Sequence, residues 1–417
     1  MSLSNITLSA AVRQNLLSLQ GTADLLAGTQ GRLATGKKVN SALDNPTNFF
    51  TAAGLDSRAS DISNLLDSIG NGVQVLQAAN TGITSLSKLV DTAKSIANQV
   101  LQQPSGYSIK ASAAFKGAGA GAGTTSASDI NAGKLGGAIF KFTTGSGLAA
   151  TITIGAAATA FTAGAATVTS LDDFNQALAA AGVNLTASIS NAGNHELTFT
   201  STNDGASQKL TQSATPAAAT AGTVNIAVAA AEATTSTLVT APTPDAVSQS
   251  ARSNLVTQYN QIIQQITTTA QDASFNGINL LNGDSLKLVF DETGRSTSTI
   301  TGVTFNPAGL GLKSLTAGND FIDNTATNTV LTALNNASVT LRSQASAFGA
   351  NLSIVQIRQD FNKNIINVLQ SGSAALTLAD SNEEAANSQA LSTRQSIATS
   401  ALSLANTSQQ SVLQLLR

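Results

Sequence analysis

Residues that are mostly apolar recur in steps of four and three at both ends of the chain. Near the start the series comprises Val12, Leu16, Leu19, Ala23, Leu26, Gln30 and Leu33. Near the end it comprises Leu391, Gln395, Ala398, Leu402, Ala405, Gln409, Val412 and Leu416. This heptad spacing places a narrow apolar stripe on one side of a helix, as in coiled coils. We therefore predict two terminal helices that pair with each other or with other copies of the chain.

A second, longer helix is predicted after the first. Asn45 can cap it and Pro46 fits its first turn, and the apolar series that follows continues to about Gln103, where the segment 104–106 stops it. Its stripe comprises Ile62, Leu66, Ile69, Val73, Leu76, Ile83, Leu86, Val90, Ala93, Ala97 and Val100. So long a helix needs partner helices along its length.

The second half of the chain carries further helical patterns. Thr243 before Pro244 predicts the start of a helix, whose buried face comprises Leu255, Tyr259, Ile262 and Ile266. Segments 286–291 and 296–305 predict a hairpin. A helix follows from about Asn324 to Gln370, ended by Gly372. Its heptad comprises Leu341, Ala345, Phe348, Leu352 and Val355, and it resumes after a skip at Phe361, Ile365 and Val368.

Residues 105–242 have a different pattern. Short runs of Thr, Val and Ile alternate with turn signals and predict a mainly β domain inserted into the helical frame, with one short helix capped by Ser170. The fold class is therefore mainly α, with paired terminal helices forming a long antiparallel rod, a hairpin and an inserted β-rich outer domain. We predict five regions: 1–44 (N-terminal coiled-coil helix and the linker after it), 45–104 (first rod helix), 105–242 (inserted β-rich domain), 243–372 (remaining rod) and 373–417 (C-terminal coiled-coil helix).

Composition removes several classes of function. Only 11% of the residues are charged and the net charge is −2, so no field attracts nucleic acid or anionic lipid, and the uncharged stretches are too polar to span a membrane. The chain has no Cys and a single His, which argues against zinc, copper or Ser-His chemistry. We predict no catalytic, cofactor or metal site.

Three features could suggest chemistry, and each has a simpler interpretation. His195-Glu196 lacks the second His of a metallopeptidase helix. Asp172-Asp173 and Glu383-Glu384 stand at predicted helix starts, where acids complement the helix dipole, and Ser381 with Glu384 forms a predicted capping box. Glycines at 117–123 lack the Lys-Ser/Thr of a phosphate loop.

Three motifs resemble bacterial flagellin. The segment LATGKKVNSALDNP at 33–46 is similar to the family's segment at the joint between its two helical domains. FNGINLL at 275–281 resembles the element after its second rod helix, and VLQLLR at 412–417 resembles its C-terminus. The resemblance covers residues 1 to about 104 and about 246–417.

The resemblance implies a secreted, extracellular subunit of the flagellar filament, exported through the type III channel, with swimming motility as its role. It implies other copies of the chain as partners, with an export chaperone, the export apparatus, and cap and hook-junction proteins. The assembly interface would comprise Val12, Leu16, Leu19, Leu26, Leu33, Leu391, Ala398, Leu402, Ala405, Val412 and Leu416. Two alternatives remain open: a hook–filament junction protein of the same family, and a helical-stalk adhesin whose β domain binds a ligand.

Overall fold

The computed structural model describes residues 10–117, 129–131, 135–145, 147, 149–190, 196–213, 217, 219–220, 222–228 and 233–415. His195 and the glycines at 118–123 lie outside these residues. The chain divides into two compact units. The first comprises the described parts of 1–74, 286–300 and 351–417, and the second those of 75–285 and 301–350.

The described helices and strands follow the predicted order. The helices are α1 (Ala10–Thr35), α2 (Pro46–Gln102), α3 (Leu171–Ala180), α4 (Ala246–Asp272), α5 (Asn324–Thr377) and α6 (Ser381–Leu415). The strands are β1 (Tyr107–Ile109), β2 (Ser112–Gly117), β3 (Ile139–Thr144), β4 (Ala149–Ile154), β5 (Ala165–Val168), β6 (Leu185–Ser190), β7 (Glu196–Ser201), β8 (Lys209–Ser213), β9 (Thr223–Val228), β10 (Ala233–Thr240), β11 (Thr243–Pro244), β12 (Ser285–Val289) and β13 (Thr297–Thr301). The predicted fold class, mainly helical with paired terminal helices, a hairpin and an inserted β-rich part, is confirmed.

In the first unit, α1 packs against α6, and the two linkers beside these helices pair with each other. Lys37 and Leu378 form an antiparallel bridge. The Lys38 amide donates to Thr377 O (2.7 Å), and the Ala379 amide donates to Gly36 O (3.0 Å). Because α1 ends and α6 begins at this bridge, the two helices run antiparallel from a common fixed point.

The α5 prediction was wrong in two respects. Gly372 does not end the helix, which continues to Thr377, because an interior glycine costs only about 1 kcal/mol. The heptad also does not skip: Phe361 and Val368 are 53% and 66% exposed, whereas Asn362 and Leu369 are buried. The seam continues in regular steps through a polar residue, since Asn362 Nδ2 donates to Phe290 O at 2.9 Å.

In the second unit, the inserted residues form two sheets around one apolar core. The sheet order is β10-β2-β7-β6 in one and β5-β4-β3-β9-β8 in the other, where β4–β5 and β8–β9 are parallel pairs. Five fully buried phenylalanines pack edge to face or tilted in the core: Phe115, Phe140, Phe142, Phe174 and Phe199. Ser170 caps α3 as predicted, in a capping box with Asp173.

Helix α4, also in the second unit, begins later than predicted. Thr243 and Pro244 form strand β11, and Asp245 is the N-cap that accepts from the Ser248 amide. The buried face includes Ile263 rather than Ile262, together with Leu255, Tyr259 and Ile266. A carboxylate is as good an N-cap as a hydroxyl. The sequence therefore fits an N-cap at Thr243 or at Asp245, two positions apart.

Candidate assembly interface

The predicted terminal stripes face each other in the α1–α6 pair. Val12 is only 3% exposed. The other described members are half-buried: Leu16, Leu19, Leu26, Leu391, Ala398, Leu402 and Ala405. Leu33 is 42% exposed, and Val412 and Leu416 have side chains outside the described part of the structure. The chain therefore brings eight of the eleven predicted interface residues into one seam.

This seam is thin compared with an ordinary helix–helix core. Most of its side chains stay half-exposed, and several are alanine, so it removes little apolar surface from water at about 25 cal/mol per Å². At its linker end the seam is polar. Thr29, and not the predicted Gln30, is buried there, and so is Glu384. The pair alone therefore has a modest driving force.

Glu384 was predicted to complete a capping box, and this prediction was wrong. Asp380 provides the cap instead, since its Oδ1 accepts from the amides of Asn382 (2.9 Å) and Glu383 (3.4 Å). Glu384 turns into the seam, where its Oε1 lies 3.4 Å from Arg32 Nη1. Its Oε2 is buried without a hydrogen-bond partner among the described residues. An ion pair between a buried acid and a half-exposed base favours one register of the two helices.

Sequence reasoning missed the apolar side chains on the outer faces of the same two helices. Leu17 and Leu25 of α1 are 69% and 63% exposed, and Ile397 and Leu404 of α6 are 64% and 72% exposed. The signal was present, because Ile397 and Leu404 are seven residues apart and so lie on one face. A second stripe lies on α5, where Ile354, Ile357, Phe361 and Val368 are more than half exposed.

One acid of each acidic pair, Asp173 and Glu384, has a structural role in this chain. Hydrogen bonds from the side chains of Ser170 and then Thr169 hold the pKa of Asp173 below its ordinary value, as the α3 cap requires. Within the described residues, no group of three His, Cys, Asp or Glu side chains could hold a metal ion. Among the described helices, none combines the length and the apolarity that a membrane span requires.

Half-buried terminal stripes, with apolar side chains on the opposite faces, define a class of protein: a helical subunit whose ends are suited to contact other subunits. Comparison with known proteins gives a family match for one part of the chain. Residues 5–114 match the bacterial flagellin N-terminal helical region. The resemblance is thus confirmed over this N-terminal region, which contains the motif at 33–46.

Several curated proteins that are similar to this chain are named flagellin. Flagellin FljM of Caulobacter vibrioides is 31% identical over 164 residues, 39% of this chain and 59% of that protein. Flagellin FljO of the same organism is 28% identical over 202 residues, 47% of this chain and 73% of that protein. A flagellin of Brucella melitensis is 27% identical over 181 residues, 40% of this chain and 62% of that protein. Two of these three relatives are thus matched over less than two thirds of their length.

Proposed function

We propose that this chain is the structural subunit of a bacterial flagellar filament, outside the cell, and that it polymerises through its terminal helices. The thin α1–α6 seam is the observation that carries the proposal. Its leucines are half-buried in the single chain, and further copies packed beside it would bury them completely. The family match over residues 5–114 supports the same role.

The proposal gives each predicted region a place in the polymer. Residues 1–44 and 373–417 form the inner coiled coil, and residues 45–104 and 243–372 form the surrounding helical layer. Residues 105–242 form the outer domain. The eleven predicted interface residues act along the inner coiled coil. Export through the type III channel with a chaperone, and contacts with cap and hook-junction proteins, complete the proposal as the family resemblance implies them.

The proposed role is purely structural. Of the acids that could suggest catalysis, Asp173 belongs to the capping box of α3, and Glu384 forms an ion pair with Arg32. The proposal therefore predicts that function depends on assembly alone and requires no cofactor.

A seam substitution tests the proposal on the intact chain. Leu402→Asp places a charge in the half-buried seam, whereas Ser403→Asp places the same charge on the neighbouring exposed position. We expect purified wild type and Ser403→Asp to grow filaments from short seeds in negative-stain images, and Leu402→Asp to remain unassembled. Normal filaments from Leu402→Asp would overturn the seam as the assembly element. Absence of filaments from seeded wild type would overturn the function itself.

A further inference from the structure

Helices α1 and α6 each present an outer face to solvent that their mutual seam does not use. With about 100° of rotation per residue, Leu17, Gly21, Asp24 and Gly28 lie opposite the seam on α1. On α6, Ala390, Arg394, Ile397, Ala401 and Leu404 lie about a third of a turn from the seam. All nine positions are exposed in the single chain.

The two faces differ in the size of their side chains. On α1, a Cβ atom added at Gly21, Gly28 or Gly31 would meet nothing within 4 Å. Glycine in a helix interior is destabilising, and packing within the described part of this chain gives no reason for it here. On α6, Ile397 and Leu404 protrude, 64% and 72% exposed.

We infer that the outer face of α1 docks antiparallel on the outer face of α6 from a second copy of the chain, with Asp24 opposite Arg394. This inference rests on the proposed self-assembly and specifies one of its contacts. At that register, Gly21 falls opposite Ile397, Leu17 opposite Ala401 and Gly28 opposite Ala390. Leu17 and Ile397 each meet a small residue, and the acid meets the base.

Charge supports the same occupant. Asp24 and Arg394 are both exposed, and neither forms an ion pair within the described residues. In the interface they would form one pair flanked by apolar contacts. Each copy carries both faces and uses one of them to dock. Its other face, on α1 or on α6, therefore stays unoccupied and can bind a further copy. Such a heterologous contact produces an open array.

Charge reversal tests the register on the full-length chain. We expect Asp24→Arg and Arg394→Asp each to raise the critical concentration for seeded polymerisation by about tenfold. The double variant, which restores the pair in reverse, should return to within about threefold of wild type. If the double variant assembles no better than the single variants while wild type forms filaments, the docking is wrong and the proposed function stands. If wild type forms no filaments, the proposed function fails first.

A size substitution gives a second test, in which chain stability and assembly change in opposite directions. Gly21→Leu should raise the helicity of the monomer, because leucine is the better helix former, and should block assembly by filling the space for Ile397. Gly54→Leu is the matched control in α2, since its Cβ would also meet nothing within 4 Å. We expect Gly54→Leu to raise helicity and to assemble normally. Normal assembly of Gly21→Leu would overturn the docking.

Cross-linking identifies the partner as a second copy. The chain has no cysteine, so introduced thiols are unique. In filaments grown from an equal mixture of Gly21→Cys and Ile397→Cys chains, we expect oxidation to give disulfide-linked dimers. The control mixture pairs Gln20→Cys with Ile397→Cys, because Gln20 lies at the same height on a different side of α1. Equal dimer yields from the two mixtures, or no dimer from the first, would overturn the docking.

Discussion

Arg32 Nη1 lies 3.4 Å from Glu384 Oε1, which links the last turn of α1 to the first turn of α6. The Glu384 side chain is 11% exposed and that of Arg32 is 47% exposed, so the pair joins a buried acid to a base at the edge of the seam. It stands beside the paired linkers, where Ala379 N donates to Gly36 O. The terminal helices are therefore fixed at one end by polar contacts and held weakly along the rest of their length.

The Arg32–Glu384 pair should contribute measurably to the stability of the single chain. We expect a double-mutant cycle with Arg32→Ala and Glu384→Ala to give a coupling free energy of about 1 kcal/mol, because only one partner is buried. Urea unfolding followed at a probe on α6 measures it. The pair Lys363–Asp360 is the control: both side chains are more than half exposed, and their coupling should be below about 0.5 kcal/mol. Equal coupling in the two cycles would contradict this view.

Buried Arg252 should be a main stabiliser of the second unit. Its Nη1 donates to Phe321 O (2.9 Å), and its Nη2 donates to Pro104 O (2.8 Å). Arg252→Met removes these donors and leaves the carbonyl of buried Phe321 without its Arg252 partner, which should lower the free energy of unfolding by about 3 kcal/mol. Chemical denaturation followed at a probe in this unit measures the loss. Arg342→Met, at an exposed position of the same unit, should change it by less than about 0.5 kcal/mol. If Arg252→Met had the same denaturation midpoint as wild type, the hydrogen bonds of Arg252 would make no net contribution to the free energy of unfolding.

Acid should weaken helix α4 through its cap. The hydrogen bonds from the Ser248 side chain and then its amide hold the pKa of Asp245 below 3.8 in the folded chain. Above pH 3.8 both states are ionised and the stabilisation is fully present. As the pH falls below 3.8, the unfolded chain binds the proton first, so the stabilisation is lost progressively until the folded pKa is passed.

Asp245→Asn tests this pH dependence, because asparagine is also a good N-cap but does not titrate. We expect the variant to lose less stability than wild type between pH 5 and pH 2, measured by the urea midpoint at each pH. At neutral pH the two proteins should differ little. Identical acid profiles would show that Asp245 makes no contribution to the pH dependence.

Two glycines of α2 in the first unit should respond in opposite directions to alanine. A Cβ at Gly72 would overlap Leu288 Cδ2, and Leu288 is itself 3% exposed and has little room to move. Gly72→Ala should therefore destabilise by about 1–3 kcal/mol through overpacking. At Gly54 the space is open, so Gly54→Ala should stabilise by about 0.5–1 kcal/mol. Thermal unfolding of the two variants checks both signs, and stabilisation by both would contradict the packing around Gly72.

Helical periodicity predicted the long helices well, because spacing alone determines which face of a long helix is apolar. The stripe from Ile62 to Val100 is buried along most of α2, and the terminal stripes meet in the α1–α6 seam. The prediction failed on α5 where a polar residue occupies a seam position. Asn362 is buried because its side-chain amide donates to the backbone carbonyl of Phe290 in the hairpin. Periodicity contains no information about a partner so distant in sequence.

Helix starts and the candidate interface were harder to predict. Neighbouring cap-forming residues left α4 and α6 ambiguous, and the choice of Asp245 and Asp380 depends on local backbone geometry. Glu384 was read as a cap because its spacing from Ser381 fits a capping box, although Arg32, distant in sequence, is its partner. Outer-face residues such as Leu17 were not predicted, because heptad spacing assigns only one apolar stripe to each helix.

The central claim is that the terminal helices gain most of their stability from other copies of the chain. Hydrogen–deuterium exchange of the amides of α1 and α6, compared between the monomer and the seeded filament, tests this most directly. We predict that these amides are protected at least a hundredfold more strongly in the filament than in the monomer, whereas those of α2 are strongly protected in both states. Equal and strong protection of α1 and α6 in the monomer would contradict the claim.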